Sequence, residues 1–259
     1  MKKVYKGIDV STHNGKIDWN KVYGEIDFAM IRCGYGKNGV DAQFKNNADA
    51  CKGFGIPFGV YFFSYAMNTI EAKAEARRAI ELCKEYEPTL GIAFDYEEDS
   101  LKYAISQGHK LDASTIRDMA CAFLDTIANE SIYNPILYAS KSYYLRYFEG
   151  LPYYFWLAQW NVKEPGLQCD MWQFTSIGKV NGIFGFVDMN YTDYIKAEDI
   201  DTDGKNINGV LHDYNIKYLK AAENVIKGVY GNGEARKSKL KSLGYDAKFV
   251  QDLVNAMVR

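Results

Sequence analysis

Eight short apolar or alternating runs between residues 4 and 191 constrain the fold of this chain more than any other feature. They are VYKGIDVS (4–11), DFAMIRCGYG (27–36), PFGVYFFSYA (57–66), LGIAFDYE (90–97), NPILYAS (134–140), YYFWLAQW (153–160), CDMWQFTS (169–176) and GFVDMNY (185–191). Runs of this length and texture read as strands, and helical periodicities lie between the earlier ones. DAQFKNNADACKGFG (41–55) stops at Gly53 and Gly55, and NTIEAKAEARRAIELCKEYEP (68–88) opens on Asn68 as a cap and ends at Pro88. DASTIRDMACAFLDTIANES (112–131) begins at Asp112 in the same way. Strands alternating with helices predict an α/β architecture with a mainly parallel sheet. After residue 150 the connections are too short for a helix, so the expectation is a closed barrel of TIM type, irregular on its second side.

The texture changes near Ala197. KAEDIDTDGKNINGVLHDYN is polar and punctuated by Asp, Asn and Gly, the composition of a linker. The expected organisation is a barrel over residues 1–197, a linker over 198–215 and a small helical module over 216–259, with three helical patterns broken at GNG and GYD. Residues 210–259 carry nine Lys/Arg against five Asp/Glu, a net of +4, whereas residues 1–209 sum to -6. That tail suits a polyanionic surface, and it equally suits a solvated helical face.

Over the whole chain 31 Lys+Arg face 33 Asp+Glu, so nothing points to nucleic acid as a partner. No segment of about 18 apolar residues occurs, which argues against membrane insertion. The N-terminal MKKVYKGIDV has no apolar stretch of the length a secretion signal needs. The expectation is a protein made in the cytoplasm that reaches its site of action on release. Five cysteines without CxxC spacing read as reduced core residues, and three scattered histidines disfavour a His-built metal site. No cofactor is expected. Aromatic residues are abundant, 21 Tyr, 14 Phe and 4 Trp. Tyr and Trp pair an apolar face with a hydrogen-bonding tip, which suits sugar recognition.

The run GIAFDYEEDS places Asp95, Glu97, Glu98 and Asp99 directly after an apolar strand. Alternation along the strand puts Asp95 and Glu97 on one face, at the C-terminal rim where barrels of this type hold their active sites. Glu98 and Asp99 then fall in a solvated loop. Asp9 in GIDVS and Asp188 in FVDMN are expected to end their strands likewise, and barrel closure would bring all four acids to one mouth. Clustered carboxylates bind a divalent cation, or they divide into a protonated acid and an ionised partner, as glycoside hydrolysis requires. Trp160 with the amides of Gln159 and Gln173, and Tyr61, Tyr65 and Tyr138 near earlier strand ends, are the candidate sugar contacts.

With these residues in view the sequence resembles the family 25 glycoside hydrolases, the lysozymes of phage lysins and related bacterial muramidases. The resemblance runs from about Tyr5 to Tyr194, through KGIDVSTHNGKIDW, DFAMIRCGYG, GIPFGVYFFSYA, IAFDYE, YNPILYAS, FWLAQW and MWQFTSIGKVNGIFGFVDMN. It implies an irregular barrel of five β/α units and three further strands. It also implies hydrolysis of the β-1,4 bond between N-acetylmuramic acid and N-acetylglucosamine of bacterial peptidoglycan. Carried onto matching positions, Glu97 is the general acid and Asp95 the second catalytic carboxylate, while Asp9 and Asp188 position substrate and tune the other two. Some members carry His where Phe62 stands. The tail, VIKGVYGNGEARKSKLKSLGYDAKFVQDLVN, is similar to a short cell-wall-binding repeat of phage lysins, with peptidoglycan docking as the implied role. Two other readings of the same residues remain: a metal-dependent hydrolase using Asp9, Asp95, Glu97 and Asp188 as oxygen ligands, and a saccharide-binding barrel without turnover.

Overall fold

The structure is a computed structural model that describes residues 4–193 and, in the C-terminal part, residues 221–254 except 223, 244, 246, 249, 252 and 253. The chain divides into two compact units, with the main division between Lys205 and Asn206. The expected linker over 198–215 lies outside the described residues.

All eight expected strands are present in the first unit: β1 (Tyr5–Val10), β2 (Phe28–Tyr35), β4 (Phe58–Phe63), β5 (Ile92–Asp95), β6 (Pro135–Ser140), β7 (Tyr154–Ala158), β8 (Met171–Gly178) and β9 (Val187–Thr192). They form a closed barrel in the order β1, β9, β8, β7, β6, β5, β4, β2, with β1 paired to β2. A two-residue strand that sequence reasoning missed, β3 (Gly39–Val40), pairs antiparallel to β2 at the edge. β9 runs antiparallel to both β8 and β1, while the other barrel pairings are parallel. This reversal follows from the short connection between β8 and β9, since a parallel neighbour needs a crossover of a dozen or more residues.

The three expected helices form as α2 (Phe44–Phe54), α3 (Thr69–Cys83) and α5 (Ala113–Glu130). Asn68 caps α3 by accepting from the backbone N–H of Ile70 and Glu71, and Asp112 caps α5 by accepting from Thr115 N at 2.7 Å. Further helical segments were not anticipated, among them α1 (Trp19–Val22) and α4 (Glu98–Ser106). α4 replaces the loop expected at Glu98 and Asp99. Its first turn is acidic, which favours the positive end of the helix dipole, and this charge had disguised the helix start.

The barrel interior holds Tyr5, Phe28, Met30, Leu90, Ala93, Ile136, Tyr138, Trp156, Ala158 and Met171. The outward faces of the same strands pack under the helices, where Phe123 of α5 meets Phe62 and Phe94 at ring separations of 6.2 and 5.1 Å. Each such fully buried aromatic contributes roughly 1.5–3 kcal/mol. Phe62 therefore belongs to the outer layer, not to the barrel interior. No disulfide links the five cysteines; Cys33, Cys51 and Cys83 are buried and Cys121 and Cys169 partly exposed. Among the described residues no helix is long and apolar enough to cross a membrane.

Gly91 launches β5 and has a strict conformational requirement. Its φ is +107°, and a Cβ there would lie 2.4 Å from the carbonyl oxygen of Asn134, which accepts the Ile92 N–H at 2.9 Å. Gly91→Ala is expected to cost about 3 kcal/mol or more, through backbone strain and displacement of β6. Chemical denaturation of both proteins would measure it, and a loss below about 1 kcal/mol would contradict the stated geometry.

In the second unit, helix Gly233–Ser242 is flanked by helical residues that begin at Ala221 and reach Val254. Arg236 ties the preceding turn together: its Nε donates to Gly231 O at 3.0 Å, Nη2 to Asn232 Oδ1 at 2.7 Å and Nη1 to Gln251 Oε1 at 3.0 Å.

Candidate active site

Strand register brings the four expected carboxylates to one end of the barrel. Asp9 and Asp188 stand directly opposite each other on β1 and β9. Asp188 does not end its strand, as the sequence suggested, but is the second residue of β9. It reaches the mouth because β9 is reversed. Asp95 is the last residue of β5, between Phe63 of β4 and Tyr138 of β6. Glu97, expected within the strand, is instead the N-cap position of α4, and its backbone N–H donates to the Ser100 hydroxyl at 3.2 Å.

The alternation along GIAFDYEEDS has a clear outcome. Tyr96 is fully buried and stacks with Phe94 in the outer layer at 6.1 Å. Glu98 and Asp99 are exposed, and both pair with Lys102 at 3.2 Å. Asp95 is only 5% exposed, and its Oδ1 is buried without a hydrogen-bond partner.

Burial raises all four acids. Burial, with Asp188 adding to it, raises Asp9 to about 7, and burial raises Asp188 to about 6. Asp95 is pushed well above the usual carboxylate range by burial and then by Glu97 and Asp9, with Arg32 opposing. Burial raises Glu97 as well, against a hydrogen bond from Tyr138. Such a cluster retains protons near neutral pH, because nearby carboxylates resist ionising together.

This has a consequence for stability. A carboxylate whose pKa is raised on folding binds more protons in the folded chain than in the unfolded one. Its stabilising contribution is complete below about pH 4 and is lost as pH rises through about 7, the folded value for Asp9. Asp9→Asn is therefore expected to stabilise the protein by about 1–3 kcal/mol at pH 8 and by little at pH 4. Thermal melts at the two pH values measure the difference, and equal shifts at both would contradict it.

The candidate sugar contacts separate into groups. Tyr138 is buried, with its ring 4.7 Å from that of Trp156 and its hydroxyl donating to Gln173 Oε1 at 3.3 Å. Tyr61 lies edge-on to Trp156 at 6.0 Å. Trp160 is 46% exposed and donates its indole N–H to Gln173 Oε1 at 3.0 Å. Tyr65 packs between Phe63 and Tyr103 beyond the end of β4. Gln159 is engaged elsewhere, since its Oε1 accepts from Gly166 N at 2.9 Å and so holds the β7–β8 connection. Gln173 is 2% exposed, and both ends of its amide bond other protein groups.

Sequence reasoning missed Asn190, Arg32 and Asp41. Asn190 is wholly buried and donates to Asp9 Oδ2 at 2.8 Å. Arg32 on β2 bonds Asp41 Oδ2 at 2.8 Å, and that oxygen also accepts the Thr12 N–H at 2.9 Å, fixing the loop after Asp9. Asn190 was detectable: it lies two residues from Asp188 in VDMN and shares its strand face.

A closed, mainly parallel barrel whose mouth gathers carboxylates among Tyr and Trp side chains is the architecture of a barrel glycosidase. The sequence profile of the glycosyl hydrolases of family 25 matches residues 8–183, and that of the CW_7 repeat matches residues 220–258. Lysozyme M1 of Streptomyces globisporus is 27% identical over 207 residues, covering 71% of this chain and 66% of that protein. The lysozyme of Streptococcus phage Cp-7 is 29% identical over 212 residues, covering 77% of this chain and 55% of that protein. The modular autolysin LytC of Streptococcus pneumoniae superposes with a TM-score of 0.64 at 27% identity over 74% of this chain, which spans about half (47%) of the LytC chain. The bacterial lysozyme of Streptomyces coelicolor, at 21% identity, shares the fold with a TM-score of 0.64 over 83% of this chain and 100% of that one. The chain belongs to the family 25 glycosyl hydrolases and is a glycosidase of the lysozyme family.

Proposed function

We propose that this protein hydrolyses peptidoglycan at the β-1,4 bond between N-acetylmuramic acid and N-acetylglucosamine. Glu97 protonates the leaving oxygen, and Asp95 supports the oxocarbenium-like centre that develops at the anomeric carbon. Asp9 and Asp188 set the charge of the mouth and orient substrate. Tyr61, Tyr138 and the exposed edge of Trp160 supply stacking and hydrogen-bonding surface to the sugars. The C-terminal repeat docks on the wall, and the wall is reached after release from the cell that makes the protein. The observation that carries this reading is the convergence of Asp9, Asp95 and Asp188 from three strands, and of Glu97 from the start of α4, at one mouth. The named relatives support it as lysozymes, and LytC as an autolysin whose structure was solved with a synthetic peptidoglycan ligand.

The test is incubation with purified cell walls, following turbidity and new reducing groups, with and without exhaustive EDTA. Clearing with release of reducing groups that survives EDTA is the expected result. Activity lost in EDTA and restored by a divalent cation would favour the metal-dependent reading. Wall binding with no reducing groups released would favour a barrel that binds without turnover.

A further inference from the structure

Asn190 and Gln173 face each other across β9 and β8, and both amide groups converge on one atom. Asn190 Nδ2 donates to Asp9 Oδ2 at 2.8 Å, and Gln173 Nε2 donates to the same oxygen at 2.9 Å. Neither amide is free to turn its carbonyl toward Asp9. Asn190 Oδ1 accepts the Trp156 indole N–H at 2.8 Å, while Gln173 Oε1 accepts the Trp160 indole N–H at 3.0 Å and the Tyr138 hydroxyl at 3.3 Å. Two indole N–H groups, which can only donate, thus fix the polarity of the two amides, whose NH2 groups fix one carboxylate oxygen.

We propose that Asn190 and Gln173 are positioning residues for the hydrolytic reaction, acting through Asp9 by clamping its Oδ2 with two oriented N–H donors. The inference rests on reading the mouth as a glycosidase site. The two donors occupy the acceptor positions of Oδ2, so any proton that Asp9 carries resides on Oδ1. The clamp also fixes the side-chain rotamer, and it favours the ionised carboxylate against burial and against Asp188. The groups facing this cluster from the surrounding elements are Asp188 on β9, Asp95 on β5, Glu97 at the start of α4, Tyr61 on β4, Tyr138 on β6 and Arg32 on β2. Negative charge on Asp9 raises Asp95, and Asp9 and Glu97 repel when both are ionised, so an ionised Asp9 favours the proton on Glu97. Loss of the clamp leaves Asp9 neutral over a wider pH range, and that support for the proton on Glu97 disappears.

The test uses Asn190→Leu and Gln173→Met in the full chain, with thermal melts to confirm folding. Gln173→Met keeps the side-chain length and serves if Asn190→Leu does not fold. The first readout is the Asp9 carboxyl titration by NMR, which does not depend on turnover. A pKa raised by about half a unit or more supports the clamp, and an unmoved titration in a folded variant overturns it. The second readout is the pH profile of kcat/KM on peptidoglycan, whose basic limb should move to lower pH by a similar amount. In an Asp9→Asn background, Asn190→Leu should produce no further displacement of that limb. Lowered activity with the limb in place would mean a purely structural role and would overturn the proposal. A wild-type protein without turnover, but with the Asp9 shift present in the variants, would overturn the glycosidase reading while leaving the clamp standing.

Discussion

Glu97→Gln is expected to lower kcat/KM on peptidoglycan by about 10³-fold or more, with the fold and wall binding intact. Gln matches Glu in shape but cannot deliver a proton, and general acid catalysis alone accounts for about 10²–10⁴-fold. Structurally the change is mild. Glu97 is half-buried at the N-cap position of α4, and the Ser100 hydroxyl that receives its backbone N–H is unaffected. The internal control is Glu98→Gln. Glu98 is exposed and pairs with Lys102 at the surface, so its neutralisation should change activity less than about twofold. The two variants differ by one position, the N-cap and the first residue of α4. Equal losses in both, or substantial activity in Glu97→Gln, would remove Glu97 from the role of acid. Wild-type activity should also fall as pH rises through a pKa above the ordinary carboxylate range, because burial raises Glu97.

Asp95→Asn is expected to reduce kcat/KM by about 10²–10³-fold, less than Glu97→Gln. Asp95 ends β5 and Glu97, two residues on, is the N-cap position of α4, so both acids come from one segment of the chain. That placement suits a reaction in which the substrate's own N-acetyl oxygen attacks the anomeric carbon and Asp95 accepts the acetamido N–H. In the free protein Asp95 is raised well above its usual range, and its Oδ1 has no donor. An acetamido N–H donated to the Asp95 carboxyl favours its ionised form and therefore the proton on Glu97. A covalent nucleophile would behave differently. Its replacement would be at least as damaging as Glu97→Gln, and a slow glycosyl–enzyme intermediate would be detectable by mass spectrometry with a fluorinated substrate analogue. Finding that adduct would contradict the neighbouring-group reading.

Periodicity made the barrel legible. Every strand longer than two residues could be read from its apolar run, and α3 and α5 announced themselves through Asn68 and Asp112. What escaped the sequence had identifiable physical causes. α4 was hidden because an acidic first turn, which the helix dipole favours, looks like a solvated loop. The direction of β9 depends on how the last strand closes the barrel and not on local propensity, so Asp188 was expected at the wrong end of its strand. The four carboxylates were identifiable as a set because each follows an apolar run. The amides that hold them were harder to place. Gln173 looked available to sugar while it stood beside Trp172, and only the register between β8 and β9 shows that it is committed to Asp9. Asn190 carried no signal beyond its spacing from Asp188.

The central claim is tested most directly by the chemistry of the ends that the protein creates. Purified peptidoglycan is digested, reduced with borohydride and hydrolysed, and the reduced amino sugar is identified. Cleavage on the reducing side of N-acetylmuramic acid predicts reduced muramic acid as the new terminus. Reduced glucosamine, or no new reduced terminus at all, would contradict the account.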